Sequence, residues 1–157
     1  MDASGHRIEA IEAYNRAWQL LDADVRSPDE DAELLTVAFV SRHHWQVAGG
    51  SQQWIMSDWM VSRAAAAAGI GHLALLFAER AYGRALDDGT PDWLLASAAE
   101  GVARAYGAYG ASGDLDQRDA WAAIAGSLVK SIGNADDRAV VAGQLAETSG
   151  FRPPDVG

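Results

Sequence analysis

Asp58 and Ser62 lie one helical turn apart in the stretch SRHHWQVAGGSQQWIMSDWMVSR, Ser41 to Arg63. The same stretch holds Trp45, Trp54 and Trp59, half of the chain's six tryptophans, with Arg42, His43, His44 and Arg63. Indole walls with a few converging polar groups are the common make-up of a ligand pocket. Arg42, His44, Trp45, Trp54, Asp58 and Trp59 are therefore the candidate ligand-binding set. A carboxylate beside a histidine could also exchange protons with a substrate. No nucleophile or oxyanion-stabilising pair accompanies it, so no catalytic residue is assigned. The structural alternative is that the tryptophans fill the core and Asp58 ties two helices together. Its partner would then be Arg42, His44 or the Trp45 indole N–H, because buried polar groups are normally satisfied. His43 and His44 do not make a metal motif. Helical ligand pairs need residues a full turn apart, and adjacent side chains diverge. No metal and no cofactor are expected.

A second set follows downstream. Trp93, Ser97, Glu100 and Arg104 recur at helical spacing and end in an oppositely charged pair one turn apart. One reading is a solvated face carrying a weak surface ion pair. The other is a partner-binding stripe in a groove. Arg63 is expected as a surface cation near a helix end, with stacking on Trp59 as the alternative. His72 is expected at the surface or in a cap.

The elements that must position these side chains are helices. No segment alternates like a strand over a useful length. Seven helices are predicted. The first is HRIEAIEAYNRAWQLLDA, and the second starts at Ser27-Pro28 and stops at Gly49-Gly50. The third runs from Ser51 to near Gly69, and the fourth from Gly71 or His72 to Asp88-Gly89. Thr90 caps the fifth, which runs to about Ala111; Ser112 to Asp114 form a turn. The sixth covers about Asp116 to Ile132, and the seventh starts at Asn134 or Asp136 and ends near Ser149-Gly150. On the second helix Leu34, Val37, Ala38, Ser41, Trp45 and Ala48 share a face. The third is apolar on two flanks, which predicts an interior helix with a buried Asp58.

Short connections favour antiparallel neighbours, paired first with second, third with fourth and fifth with sixth. The third-fourth and fifth-sixth pairs each take roughly 35 to 45 residues, the period of helical-hairpin repeats. GIGHLALLFAERAYGRAL resembles the second half of a tetratricopeptide-type repeat, with Gly69 at the turn and Ala74 and Ala81 at its small positions. Val61 fits the helix before it. Ser62 and Ala65 stand where that repeat has its small residue and its aromatic. YGASGDLDQRDAWAAIAGSL resembles the same turn through Gly113 and Ala125, with Arg118 in place of a small residue. Through SRHHW, QWIMSDWMVSR, GTPDWLLASAAEGVARA and ADDRAVV, most of the chain is similar to short bacterial tetratricopeptide-like proteins without an assigned activity. The resemblance implies an all-α fold of about seven antiparallel helices in stacked hairpins, wound as a right-handed superhelix. It carries over no site residues. In such repeats the first helix of each pair lines a groove, which places the Trp93 stripe there.

Composition bounds the partners. The 157 residues suit one domain, read as residues 5–150 with a flexible tail at 151–157. A net charge of −10 argues against nucleic acid and against anionic membranes. No basic n-region or apolar span marks export or membrane insertion, so a cytoplasmic location is expected. Without cysteine there are no disulfides or thiolate sites. Phosphate loops and hydrolase motifs are missing. The reading is a non-catalytic protein- or peptide-binding scaffold, its partner unidentified, with a homodimer expected to cover the end faces of so short a stack. The alternative is a small-molecule-binding protein or enzyme with a tryptophan-lined pocket around Asp58.

Overall fold

Ser27, Pro28 and Glu30 start a helix for separate reasons. The Ser27 hydroxyl accepts from the Glu30 amide at 3.2 Å, and the Glu30 carboxylate accepts in return from the Ser27 amide at 2.7 Å. Pro28 fits the first turn, where no backbone donor is needed. A computed structural model describes residues 1–151, without the side chains of residues 112 and 113, and shows seven helices there. They are α1 (Ala3–Leu21), α2 (Pro28–Ala48), α3 (Ser51–Ala67), α4 (Gly71–Ala85), α5 (Asp92–Tyr109), α6 (Ser112–Lys130) and α7 (Ala135–Thr148). No strand occurs among the described residues. None of these helices is long and apolar enough to cross a membrane.

Three helix starts differ from the sequence expectation, and α4 ends at Ala85 rather than at Asp88-Gly89. Asp2 caps α1 by accepting from the Gly5 amide, so the helix starts before His6. At α5 the cap position is Pro91, not Thr90, and Asp92 accepts from the Trp93 amide. The predicted turn at Ser112–Asp114 is the first turn of α6. Gly110, at a left-handed φ of 74°, ends α5 abruptly, so Gly110 and Ala111 suffice to reverse the chain. Of the expected tail only its first residue, Phe151, lies among the described residues. Phe151 packs under Arg104, and its carbonyl accepts from Arg118; residues 152–157 lie outside the described residues.

The helices pack as hairpins, α1 on α2, α3 on α4 and α5 on α6. The odd-numbered helices also pack on one another in sequence, α1–α3–α5–α7. The even-numbered helices stand farther apart: no Cα of α2 comes within 8 Å of α4, nor of α4 to α6, among the described residues, and they meet through long side chains, Phe39 on Phe77 and Tyr82 on Trp121. The result is a close odd row and a splayed even row, with α7 an unpaired last member of the odd row.

Close packing of the odd row has a sequence cause. Thirteen of the eighteen residues of α5 are buried, and eight of those thirteen are alanine or glycine. Backbones can then approach, and bulky neighbours fill the space. The Trp59 indole N–H reaches the Ser97 carbonyl at 3.0 Å directly over Gly101. A β-carbon at Gly101 would stand 2.9 Å from Trp59 Cδ1. Gly101→Val is therefore expected to lower stability by about 1–3 kcal/mol through overpacking, despite leaving a glycine-free helix centre. Urea titration checks it, and an unchanged midpoint would show that the indole can step aside.

Candidate functional site

Helix α3 carries two different faces. Gln53, Met56, Trp59 and Arg63 turn toward the odd row, and Trp54 and Asp58 turn toward the gap between α2 and α4. The residues expected to form one pocket are thereby divided.

On the α2/α4 side, Asp58 is 1% exposed. Arg42 Nε donates to its Oδ1 at 2.6 Å. With its amide oxygen toward Arg42, Gln46 accepts from Nη1 at 3.0 Å and from Nη2 at 2.6 Å. Each nitrogen of Arg42 therefore has an acceptor, and its guanidinium lies over Phe77. Two further arginines converge from α4. Arg84 Nε is 3.5 Å and Arg80 Nε 3.8 Å from Asp58 Oδ2, which accepts no hydrogen bond. Arg84 also lies over the Trp54 ring, 5.7 Å from its centroid. Gln46, Trp54 and Arg84 border an open hollow of about 210 Å³. The Trp54 indole donates back to the Trp45 carbonyl and locks the end of α2 to α3.

On the odd-row side, three hollows adjoin in a line. The first, about 200 Å³, is bounded by Arg7, Ile11, Trp45, Ala48, Gly49 and Gln53. The second, about 130 Å³, shares Ile11, Trp45 and Gln53 and adds Tyr14 and Met56. The third, about 60 Å³, shares Tyr14 and Met56 and runs on to Trp18, Trp59, Trp93, Ser97 and Gln144. Together they form a furrow from the α1/α2 corner to α5 and α7. Burial pushes the Tyr14 phenol pKa up, so it stays neutral. Arg63 closes the far wall, with its guanidinium 5.1 Å from the Trp18 ring and 5.3 Å from the Trp59 ring. The surface-cation expectation for Arg63 thus gives way to the stacked alternative. Burial lowers its pKa and the Arg104 charge adds to the effect, yet a guanidinium keeps its proton.

The downstream stripe is not a solvated face. Glu100 is 0% and Arg104 8% exposed, because α7 lies over them. Arg104 Nε donates to Glu100 Oε1 at 3.0 Å, and the Thr148 hydroxyl donates to the same oxygen. Ser97 donates to Gln144 Oε1 at 2.9 Å. Glu147 takes Arg63 at 2.9 Å and Arg104 at 3.6 Å. A sequence window cannot show that a helix some forty residues on will cover the stripe; only Trp93 and Ser97 still border open space.

His44 belongs to neither site. Its Nδ1 lies 2.7 Å from His6 Nδ1, one donating to the other, and this pair staples α1 to α2. The His43 and His44 ring centroids are 5.2 Å apart, and among the described residues no group of three or more acidic or histidine side chains could hold a metal ion. His72 is exposed and meets the Tyr109 hydroxyl at 3.1 Å.

No protein-family model, curated protein or solved structure matches the chain. A functional reading therefore rests on these surfaces. The structure groups Trp45, Trp59, Trp93 and Ser97 along the furrow, and Arg42, Trp54 and Asp58 in the arginine cleft. Sequence reasoning passed over Ile11, Tyr14 and Trp18, although their spacing marks one helix face. It also passed over Arg80 and Arg84, one turn apart on α4.

Proposed function

We propose that the chain is a non-catalytic scaffold that binds a protein partner through a short linear segment laid in the odd-row furrow. The observation behind this is the shape of the furrow: three small adjoining hollows rather than one chamber. Small-molecule sites usually enclose roughly 300–1,000 Å³ in a single concavity. A void of about 150 Å³ takes a benzene ring, so the hollow of about 130 Å³ matches one apolar side chain. A row of such sockets suits alternate side chains of an extended peptide better than one rigid ligand. The resemblance to tetratricopeptide-like hairpins supports the same reading, because a groove along the first helices is where such proteins hold peptides. The charge of −10 favours a cationic segment around the anchoring side chain.

The test is selection of random linear peptides on the protein. Enriched sequences are expected to carry an aromatic or leucine anchor flanked by lysine or arginine. Ile11, 47% exposed at the junction of two hollows, is the residue to change. Ile11→Arg should abolish enrichment while circular dichroism stays that of the parent. Equal enrichment on this variant would remove the furrow as the site.

A further inference from the structure

The geometry points to the cleft between α2 and α4 as a binding site for a phosphomonoester, gripped by Arg80 and Arg84 with its attached group against Trp54. The charge count comes first. Three guanidiniums converge on one carboxylate, on a chain whose net charge is −10. Arg42 alone matches Asp58, with the short bond and an acceptor for each guanidinium nitrogen. Arg80 and Arg84 are surplus to that pair. They stand one turn apart on the same helix, an arrangement of like charges that weakens a helix unless something anionic lies between them.

Their present anion does not hold them tightly. Both touch Asp58 Oδ2 at ion-pair range only, and no hydrogen bond from either is formed among the described residues. They are 44% and 34% exposed, so their terminal nitrogens can turn to a ligand at little cost. The two surplus positive charges equal the charge of a phosphomonoester at neutral pH, and forked guanidiniums fit phosphate oxygens. Asp58, held by Arg42 at the floor, orients the arginines and repels a ligand that would sink deeper. The open hollow beside Arg84 exposes part of the Trp54 ring, a flat surface for the group that bears the phosphate. This site lies across α3 from the furrow and does not depend on peptide binding there.

Isothermal titration calorimetry at low ionic strength tests it with phenyl phosphate, inorganic phosphate and benzoate. Saturable one-to-one binding is expected for phenyl phosphate, with inorganic phosphate weaker and benzoate at least tenfold weaker. Arg80→Gln with Arg84→Gln should weaken phenyl phosphate at least tenfold. Trp54→Ala should weaken phenyl phosphate more than inorganic phosphate. The unliganded double variant should melt close to the parent. A phosphotyrosine pentapeptide identifies the source: tighter binding than phenyl phosphate assigns the site to a protein-borne phosphate, and equal binding to a free one. No saturable binding of either phosphate at millimolar concentration overturns the proposal. So does binding unchanged in the double variant, and so does a double variant that melts lower by about 10 °C or more, which would make Arg80 and Arg84 structural counter-ions of Asp58.

Discussion

Asp58→Asn is expected to cost about 3–5 kcal/mol of folding free energy, because it leaves a buried cation without its counter-charge. The side chain keeps its shape, so the loss reports the charge. Arg42 has little water to fall back on, and its α4 neighbours Arg80 and Arg84 would then repel it with nothing between them. A urea titration should show a lower midpoint with the slope unchanged. Asp58→Asn combined with Arg42→Gln should fall well short of the sum of the single losses, by a coupling on the order of 1–3 kcal/mol. Simple additivity would mean that the short Arg42–Asp58 contact carries no net attraction.

Glu100→Gln is expected to be nearly as costly, again about 3–5 kcal/mol, and to act first on α7. Among the described residues Glu100 is the only buried acid near Arg63 and Arg104, and it also takes the Thr148 hydroxyl. Without it the two arginines share Glu147, which is mostly exposed and holds them weakly. Only Val141 and Thr148 of α7 are buried, so polar ties matter more to this helix than apolar contact. Hydrogen exchange should show α7 amides losing protection before those of α3 and α5. Glu147→Gln is the control and should cost less than about 1 kcal/mol. Equal effects of the two substitutions would shift the anchoring role to Glu147.

Much of this architecture is written locally. Ser27, Pro28 and Glu30 specify the start of α2, and Asn134 that of α7, through atoms a few residues away. The two apolar flanks of α3 rightly imply an interior helix with a buried Asp58, whereas the choice of Arg42 over His44 or the Trp45 indole as its partner is visible only in the structure. The sites were less legible because each is made of non-neighbouring helices. Trp45, Trp54 and Trp59 lie close in the chain, yet α3 turns Trp59 to one side and Trp54 to the other. The furrow needs Ile11 and Tyr14 from α1, and the arginine cleft needs Arg80 and Arg84 from α4. For Glu100 and Arg104 the decisive fact is the docking of α7, which depends on tertiary packing rather than on the stripe itself.

The glycine beneath the Trp59 indole has a consequence for how sequences of this fold can diverge. Gly101 meets that ring, Gly71 meets the backbone of Tyr109, and Gly107 meets the backbone and ring of Phe151. At the first contact the bulk is a side chain, lodged on one side of the interface and absent from the other. Drift at either partner alone is blocked: growth at 101 collides with the indole, and shrinkage at 59 opens a void. The pair can change only together, exchanging large for small across the helix contact. Among homologues, 59 with 101 should therefore co-vary in volume while their summed size stays level. Positions 71 and 107, which face main chain, have no such partner and should remain glycine.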